Sequence, residues 1–262
     1  LVKPSASDIQ TVGKQLGSLQ VGSLDREPDI TIRFEEHLLL PALKYLGRDQ
    51  AGFTADGFFI LQSKKAKAKA RIPFDTIGSG CEIVCETGLR AVPLLIAILN
   101  LTLLKRGCIA LHASAFVYGD TGVLVTGWAK SGKTEALLAF AAHGAKYVGD
   151  EWVILTKDGE TMYGLPEPMT VWDWHINQLP RIRDQLTITK SLAFKTIHLA
   201  GRLQNYFGNG RLKNTLPMRL MADVLPALNR QLYIKVPVEK IFKGNSIELI
   251  SKPEKLFLIM SQ

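Results

Sequence analysis

Cysteine is scarce in this chain, with three in 262 residues, and that scarcity excludes a disulfide-stapled scaffold. Two of the three, Cys81 and Cys85, lie four apart in the alternating segment CEIVCE, which places both on one face of a strand. No second Cys/His pair stands at a useful spacing, so a zinc site is not expected. The five histidines are scattered without a ligand pattern. Long apolar runs are missing too. The longest, Ala91 to Leu104, is interrupted by Asn100 and Thr102 and followed by Lys105-Arg106, too short for a bilayer span. It reads as a core helix packed on a sheet, with Pro93 in its first turn. No internal repeat, low-complexity segment or signal peptide is visible, although the chain opens on Leu1 rather than a methionine.

What is present is ordinary globular composition, 47% hydrophobic and 21% charged, with room for one large or two modest domains. Residues 29–36 (DITIRFEE), 57–62 (GFFILQ), 69–74 (KARIPF) and 81–86 (CEIVCE) read as short strands between Gly, Asp and Lys-rich turns. We therefore expect a β-rich N-terminal domain over 1–87 and a second domain over 88–262, with the boundary near Thr87-Gly88. The run Lys64 to Arg71 continues a hairpin whose lysines either protect an edge strand or contact a phosphate or an acidic partner, the first being the expectation.

The densest signal is Gly127-Trp128-Ala129-Lys130-Ser131-Gly132-Lys133-Thr134, which fits G-x-x-x-x-G-K-[ST]. Gly122 to Thr126 before it reads as a buried strand, and Glu135 to Ala142 after it as an Ala/Leu helix. In such a setting, loop amides and the first helical turn aim N–H groups at one point, where the helix dipole adds positive charge. Gly127, Lys130, Ser131, Gly132, Lys133 and Thr134 are the expected phosphate-binding residues, with Lys133 on the outer phosphates and the Thr134 hydroxyl on Mg²⁺. Lys130 stands where many such loops carry a glycine. Either the loop keeps an ordinary conformation there, or affinity is reduced.

After the helix come a turn at His143-Gly144, apolar Tyr147-Val148, the pair Asp150-Glu151 and a second apolar run, Trp152 to Leu155. An acidic pair at the end of the next strand, only one helix beyond Lys133, sets this chain apart from loop NTPases whose metal-binding carboxylate arrives much later. Phosphoryl transfer needs a metal's charge on the transferred group and a carboxylate to orient or deprotonate the attacking hydroxyl, and two adjacent carboxylates could serve both; otherwise Asp150 starts a turn and Glu151 is solvated. Upstream, Ile109 to Tyr118 and Val123 onward flank the turn Gly119-Asp120-Thr121-Gly122. So short a connection makes an antiparallel hairpin, and a purely parallel sheet is not expected.

Residues 109–155, about a fifth of the chain, resemble the core of the HPr kinase/phosphorylase family and its shorter bacterial relatives. The matching positions are His112, Gly127, Gly132, Lys133, Thr134, Glu135, Gly144, Asp150 and, with Glu for Asp, Glu151. The resemblance implies an α/β fold with a mixed-sheet P-loop kinase core of the HPr kinase and phosphoenolpyruvate carboxykinase type, preceded by the β-rich N-terminal part. It implies a kinase using ATP and Mg²⁺, with Asp150, Lys133 and His112 catalytic and Thr134, Asp150 and Glu151 at the metal. His112 would sit at the edge of the site, on the strand next to the loop. Glu151 is a methylene longer than the family's second Asp, which alters metal geometry. The family's C-terminal signature for the reverse phosphorolysis is absent, which favours the kinase direction. An oligomer is also implied, and a cytoplasmic setting is the default expectation, which the need for ATP favours.

Elsewhere, residues 164–175 are rich in Pro and aromatics, and Trp172, Trp174 and His175 either shape a substrate pocket or cover the core. Residues 181–230 carry Arg181, Arg183, Lys190, Lys195, Arg202, Arg211, Lys213, Arg219 and Arg230 against Asp184 and Asp223, and hold much of the +8 net charge. That surface suits an acidic or serine-containing peptide or small protein as acceptor. Nucleic acid is disfavoured, because no recognition-helix motif or interleaved basic and aromatic platform is present. The alternatives are a non-catalytic nucleotide-binding regulatory module and a kinase of a free small hydroxyl such as serine. Asn205 to Gly210 is expected as a loop, with strands over 231–236 and 246–250 and a helix or strand over 252–260.

Overall fold

The computed structural model describes residues 1–17, 19–47, 50–61, 68–178, 187–207, 215–242 and 246–260. By compactness the chain falls into two units, Leu1–Glu167 with Gly244–Gln262, and Pro168–Lys243. The fold is α/β with mixed sheets. The sequence boundary at Thr87-Gly88 falls inside the first unit, between its two sheets.

The first unit opens on α1 (Ala6–Leu16), which the β-rich reading of 1–87 omits. Its start is nevertheless written in the chain: Ser5 accepts from the Asp8 amide while the Asp8 carboxylate accepts from the Ser5 amide, a reciprocal capping box. Then come β1 (Ile30–Glu35), β2 (Lys44–Leu46), β3 (Ala51–Phe53), β4 (Phe58–Leu61), β5 (Ala68–Ile72) and β6 (Cys81–Glu86). They form one sheet in the order β1-β6-β5-β4-β3-β2, antiparallel except for the parallel β1–β6 pair. Cys81 and Cys85 do share the buried face, in a core with Ile32, Ile72 and Ile83. Burial pushes the Cys85 thiol up to about 12, the behaviour of an inert core cysteine. Of the run Lys64 to Arg71, residues 64–67 lie outside the described residues; the rest falls on β5, which is paired with both β4 and β6 and is therefore not the edge strand expected.

Helix α2 (Leu95–Lys105) begins later than expected. Leu94 is left-handed, at φ 57°, so Pro93 precedes the helix instead of standing in its first turn. Leu95 and Ile98 bury into the first core. Among the described residues no helix is long and apolar enough to cross a membrane.

The second sheet is built around β7 (Ile109–Tyr118), which pairs antiparallel with β8 (Thr121–Gly127) through a tight hairpin, as the turn residues require. Helix α3 (Lys133–Ala142) follows, then β9 (Lys146–Gly149), β10 (Trp152–Leu155) and β11 (Met162–Gly164). At the far end of the chain, β14 (Ile250–Ser251) and β15 (Lys255–Ile259) complete the order β14-β11-β10-β7-β8-β15, with β9 also on β7. β15 is parallel to β8 and the other pairs are antiparallel. The strand expected over 246–250 is reduced to a bridge at Ile247 and the two residues of β14. Residues 252–260 resolve to the strand β15.

The second unit holds β12 (Met169–Trp172), α4 (Asp173–Gln178), α5 (Ile188–Phe207), α6 (Leu216–Asn229), β13 (Tyr233–Val236) and α7 (Val238–Ile241), with β12 and β13 antiparallel. The expected loop from Asn205 runs into α5 as far as Phe207, and residues 208–210 lie outside the described residues. So do Arg181, Arg183, Asp184, Arg211 and Lys213. Trp172 and Trp174 stack with ring centroids 5.0 Å apart.

Two glycines test this packing in opposite directions. A Cβ on Gly164 would lie 1.6 Å from the Val148 carbonyl oxygen, whereas one on Gly13, within α1, would meet open space. Gly164→Ala is expected to destabilise by about 3 kcal/mol or more, and Gly13→Ala to stabilise by about 0.5–1 kcal/mol. Denaturant titration of both variants checks the two signs.

Candidate functional site

Strand β7 is ten residues long, and one of its sides is shared by two shorter strands. β9 pairs with Ala115 to Val117 and β10 with Ile109 to His112, so β9 and β10 are one interrupted strand. The interruption is Asp150-Glu151. Glu151 takes φ 70°, and the Trp152 amide donates back to the Asp150 carbonyl at 2.9 Å, a three-residue turn of the strained left-handed kind. The Glu151 carbonyl still accepts from the Ala113 amide at 3.2 Å, which keeps the ladder in register across the break. A break of this sort re-aims side chains, and here it separates two adjacent carboxylates into different surroundings.

Asp150 turns inward and is 3% exposed. Its Oδ1 accepts a very short hydrogen bond from the Ser114 hydroxyl, opposite on β7. The Thr134 hydroxyl lies 3.2 Å from Oδ1 and 3.1 Å from Oδ2. Burial pushes the carboxyl up to about 6, the neighbouring Glu151 charge adds to that, and the Ser114 and Thr134 hydrogen bonds restrain it. Glu151 turns outward. Its Oε2 meets the His112 Nε2 at 3.1 Å, and the His112 ring lies 5.8 Å from that of Trp152, its register partner on β10. His112 thus sits at the rim on β7, the strand beside β8, and touches the second carboxylate instead of the first.

The loop between β8 and α3 carries the remaining residues. Lys133, at the start of α3, is buried, and its ammonium donates to the Gly127 carbonyl at 3.0 Å and the Trp128 carbonyl at 2.9 Å, spanning the loop. Gly132 caps the helix at φ 101° and Lys130 takes φ 64°. The ordinary conformation allowed for Lys130 is therefore not adopted: the loop closes on a Ser131 N–H to Trp128 carbonyl bond of 3.1 Å, and Lys130 bends left-handed as a glycine would. Alternating left-handed residues ahead of a helix N-terminus form the concave run of amides that holds anions. A Cβ on Gly127 would lie 2.4 Å from the Ile259 carbonyl oxygen and 2.6 Å from the Ser131 Oγ, so only glycine fits. That Ser131 Oγ is buried and without a hydrogen-bond partner, a polar atom left facing the loop interior.

Lys133, Thr134, Asp150, Glu151 and His112 are thus brought to one end of the second sheet. Sequence reasoning missed Ser114. Its signal was a lone hydroxyl in the otherwise apolar run Ala113 to Val117, fully buried at a strand centre where a polar group needs a partner.

The donor set suits Mg²⁺ held jointly with phosphate. Among the described residues no three His, Cys, Asp or Glu side chains cluster as a complete metal site. Mg²⁺ characteristically takes one or two carboxylates and completes its shell with phosphate oxygens and water; Thr134 and Asp150 match that share, and Glu151 would have to turn in from His112 to join them. Among known proteins, no family model matches this sequence and no curated protein is similar to it.

A carboxyl raised from its ordinary 3.8 to about 6 keeps its proton in the folded chain where the unfolded chain has lost it. Stability from this group therefore falls as pH rises from about 4 to about 6 and stays lower above. Asp150→Asn is expected to remove that slope and to be more stable than the native chain at pH 7–8, by up to about 3 kcal/mol. Chemical denaturation of both chains across pH 4 to 8 checks it, and parallel pH curves would contradict it.

Proposed function

We propose that this chain is an ATP-dependent kinase that transfers the γ-phosphoryl group to a serine-type hydroxyl of a peptide or small protein. The carrying observation is the Asp150 carboxylate, buried and within 3.2 Å of the hydroxyl that follows the phosphate-loop lysine. A carboxylate there faces the place where a terminal phosphate would lie. Its raised affinity for a proton suits a group that must accept one near neutral pH.

In this reading the loop amides from Ser131 to Thr134 hold the phosphates, and the Lys133 ammonium exchanges its two carbonyl acceptors for phosphate oxygens. Ser114 occupies Oδ1 of Asp150. Oδ2 carries the Thr134 hydroxyl at 3.1 Å; once that hydroxyl gives it up, Oδ2 is the oxygen that receives the acceptor's proton, as the acceptor's oxygen bonds to the γ-phosphorus and the β–γ bridging bond breaks. Mg²⁺, when bound, would neutralise charge on the β- and γ-phosphates. Thr134 and Asp150 would hold it, with Glu151 contributing at the rim and His112 orienting Glu151.

A peptide acceptor is supported by charge. Lys190, Lys195, Arg202 and Arg230 are exposed in the second unit, on a chain of net charge +8. Such a surface attracts an acidic segment and raises its local concentration.

Two variants separate the roles. Lys133→Met is expected to abolish nucleotide binding and turnover together. Asp150→Asn is expected to keep the nucleotide Kd within about threefold while kcat falls about 10²–10⁴-fold, the range for loss of a general base. Phosphate transfer from labelled ATP to serine-containing peptides provides the readout; full turnover by Asp150→Asn would remove Asp150 from the chemistry, and nucleotide binding by the native chain with no transfer would assign it to binding alone. Ser114→Ala removes a bond that restrains the carboxyl, so the rising limb of kcat against pH should move to higher pH. An unmoved limb would remove Ser114 from the mechanism.

A further inference from the structure

The second unit carries a groove that the phosphate chemistry does not use. Its volume is about 640 Å³, and it is lined by Thr187, Lys190, Gln231, Tyr233, Ile234 and Lys235. Tyr233, Ile234 and Lys235 are successive residues of β13, and successive side chains of a strand point to opposite faces. A cavity that touches all three therefore runs along the edge of β13. Its other wall is the start of α5, with Thr187 and Lys190.

That edge is unused by the fold. β12 and β13 form a sheet of two strands, with no further strand on the outer side of β13 among the described residues. The Asp173 amide donates to the Leu232 carbonyl at 3.0 Å, which sets the phase of the ladder. In the antiparallel register that follows, Ile234 and Val236 bond to β12, while Tyr233 and Lys235 turn their N–H and C=O groups outward. Among the described residues none of these four outward groups has a backbone partner. The two positions lie about 6.8 Å apart, the repeat at which an added strand bonds.

Charge decides what fits. Lys190 and Lys235 are exposed, neither forms an ion pair among the described residues, and no carboxylate lines the groove. Lysine on a strand edge deters a neutral or basic strand and admits an acidic one. A phosphodiester chain carries acceptors along its backbone but no donors, so it would leave the Tyr233 and Lys235 carbonyls unpaired. A peptide supplies both kinds of group.

We propose that the edge of β13 docks an extended acidic peptide, which adds as a third strand to β12 and β13 and sets its carboxylates against Lys190 and Lys235. Every second side chain of a strand lies on one face, so the selected segment carries acidic residues at alternate positions. Tyr233 is steadied by Trp172, its register partner, whose ring lies 5.3 Å away. That the docked peptide is the phosphate acceptor rests on the kinase reading; the groove then holds it by a segment apart from its serine, separating recognition from transfer.

Isothermal titration calorimetry on the full chain, without nucleotide, tests the docking. The probe is a capped hexapeptide alternating glutamate and valine. It should bind the native chain, and its counterpart with lysine for glutamate should not. N-methylation of one alternating set of its amides should weaken binding by at least about tenfold, and of the other set should not. Lys190→Glu combined with Lys235→Glu should also weaken it by at least about tenfold. Lys14→Glu combined with Lys157→Glu, an equal charge change on exposed lysines of the first unit, should keep Kd within about twofold. As a second measurement, hydrogen exchange at the Tyr233 and Lys235 amides of the native chain should slow when the probe is added. No binding, indifference to the groove variants or to both methylations, or unchanged exchange at those amides would overturn the proposal. A single-stranded oligonucleotide that slows exchange there when the hexapeptide does not would assign the groove to nucleic acid and likewise overturn it. Because no nucleotide enters the titration, failed docking counts against the groove, and failed phosphoryl transfer counts against the kinase reading.

Discussion

One buried carboxylate organises this molecule. Asp150 is removed from water at the single break in the strand made by β9 and β10, and it stays there because Ser114 and Thr134 hydrogen-bond it from two sides. Burying such a group costs free energy unless it is bonded, and the raised proton affinity of Asp150 shows that the bonds offset burial only in part. The strained turn at Glu151 and the left-handed Lys130 add to that cost on either side of the same small space. Strain, burial and an orphaned Ser131 hydroxyl gathered at one sheet end are what a site evolved to hold something else would show.

The rest of the first unit serves that placement. The β7–β8 hairpin fixes Ser114 and the base of the loop on neighbouring strands, and the tight Gly164–Val148 contact locks β9 and β11 so that the break has nowhere to relax. α3 then presents Lys133 and Thr134 on successive residues of its first turn, one reaching back over the loop and the other across to Asp150. Adjacent residues on a helix point about 100° apart, so a Lys-Thr pair serves two sites that a spacing of four would not.

Much of this was legible in the chain, for reasons that are local. The hairpin, the loop, α3 and the acidic pair lie within some forty residues and depend on turn chemistry and short-range periodicity, which sequence reports well. The four N-terminal strands read from alternation appear as β1, β4, β5 and β6. What was not legible depended on distant partners or on competing signals. Ser114 is unremarkable until β9 is laid beside β7, 36 residues away along the chain. β15 reads as helix or strand alike, because a short apolar run has no decisive period until β8 supplies a register. α5 and α6 are not legible in the same way, because the many cations of 181–230 report surface charge without fixing a helical period. The Ser5-x-x-Asp8 cap of α1 is a local signal that the β-rich reading of 1–87 leaves unused.

The central claim is that Asp150 is a buried carboxyl poised against a metal-bound terminal phosphate. Carbon-13 NMR of the Asp150 carboxyl, titrated with pH in the free chain and again with Mg²⁺ and a non-hydrolysable ATP analogue, addresses it most directly. The account predicts a midpoint at about 6 in the free chain that shifts once metal and triphosphate are added, since charges set against a carboxyl change its proton affinity. A midpoint at the ordinary carboxylate value that is indifferent to Mg²⁺ and nucleotide would contradict it.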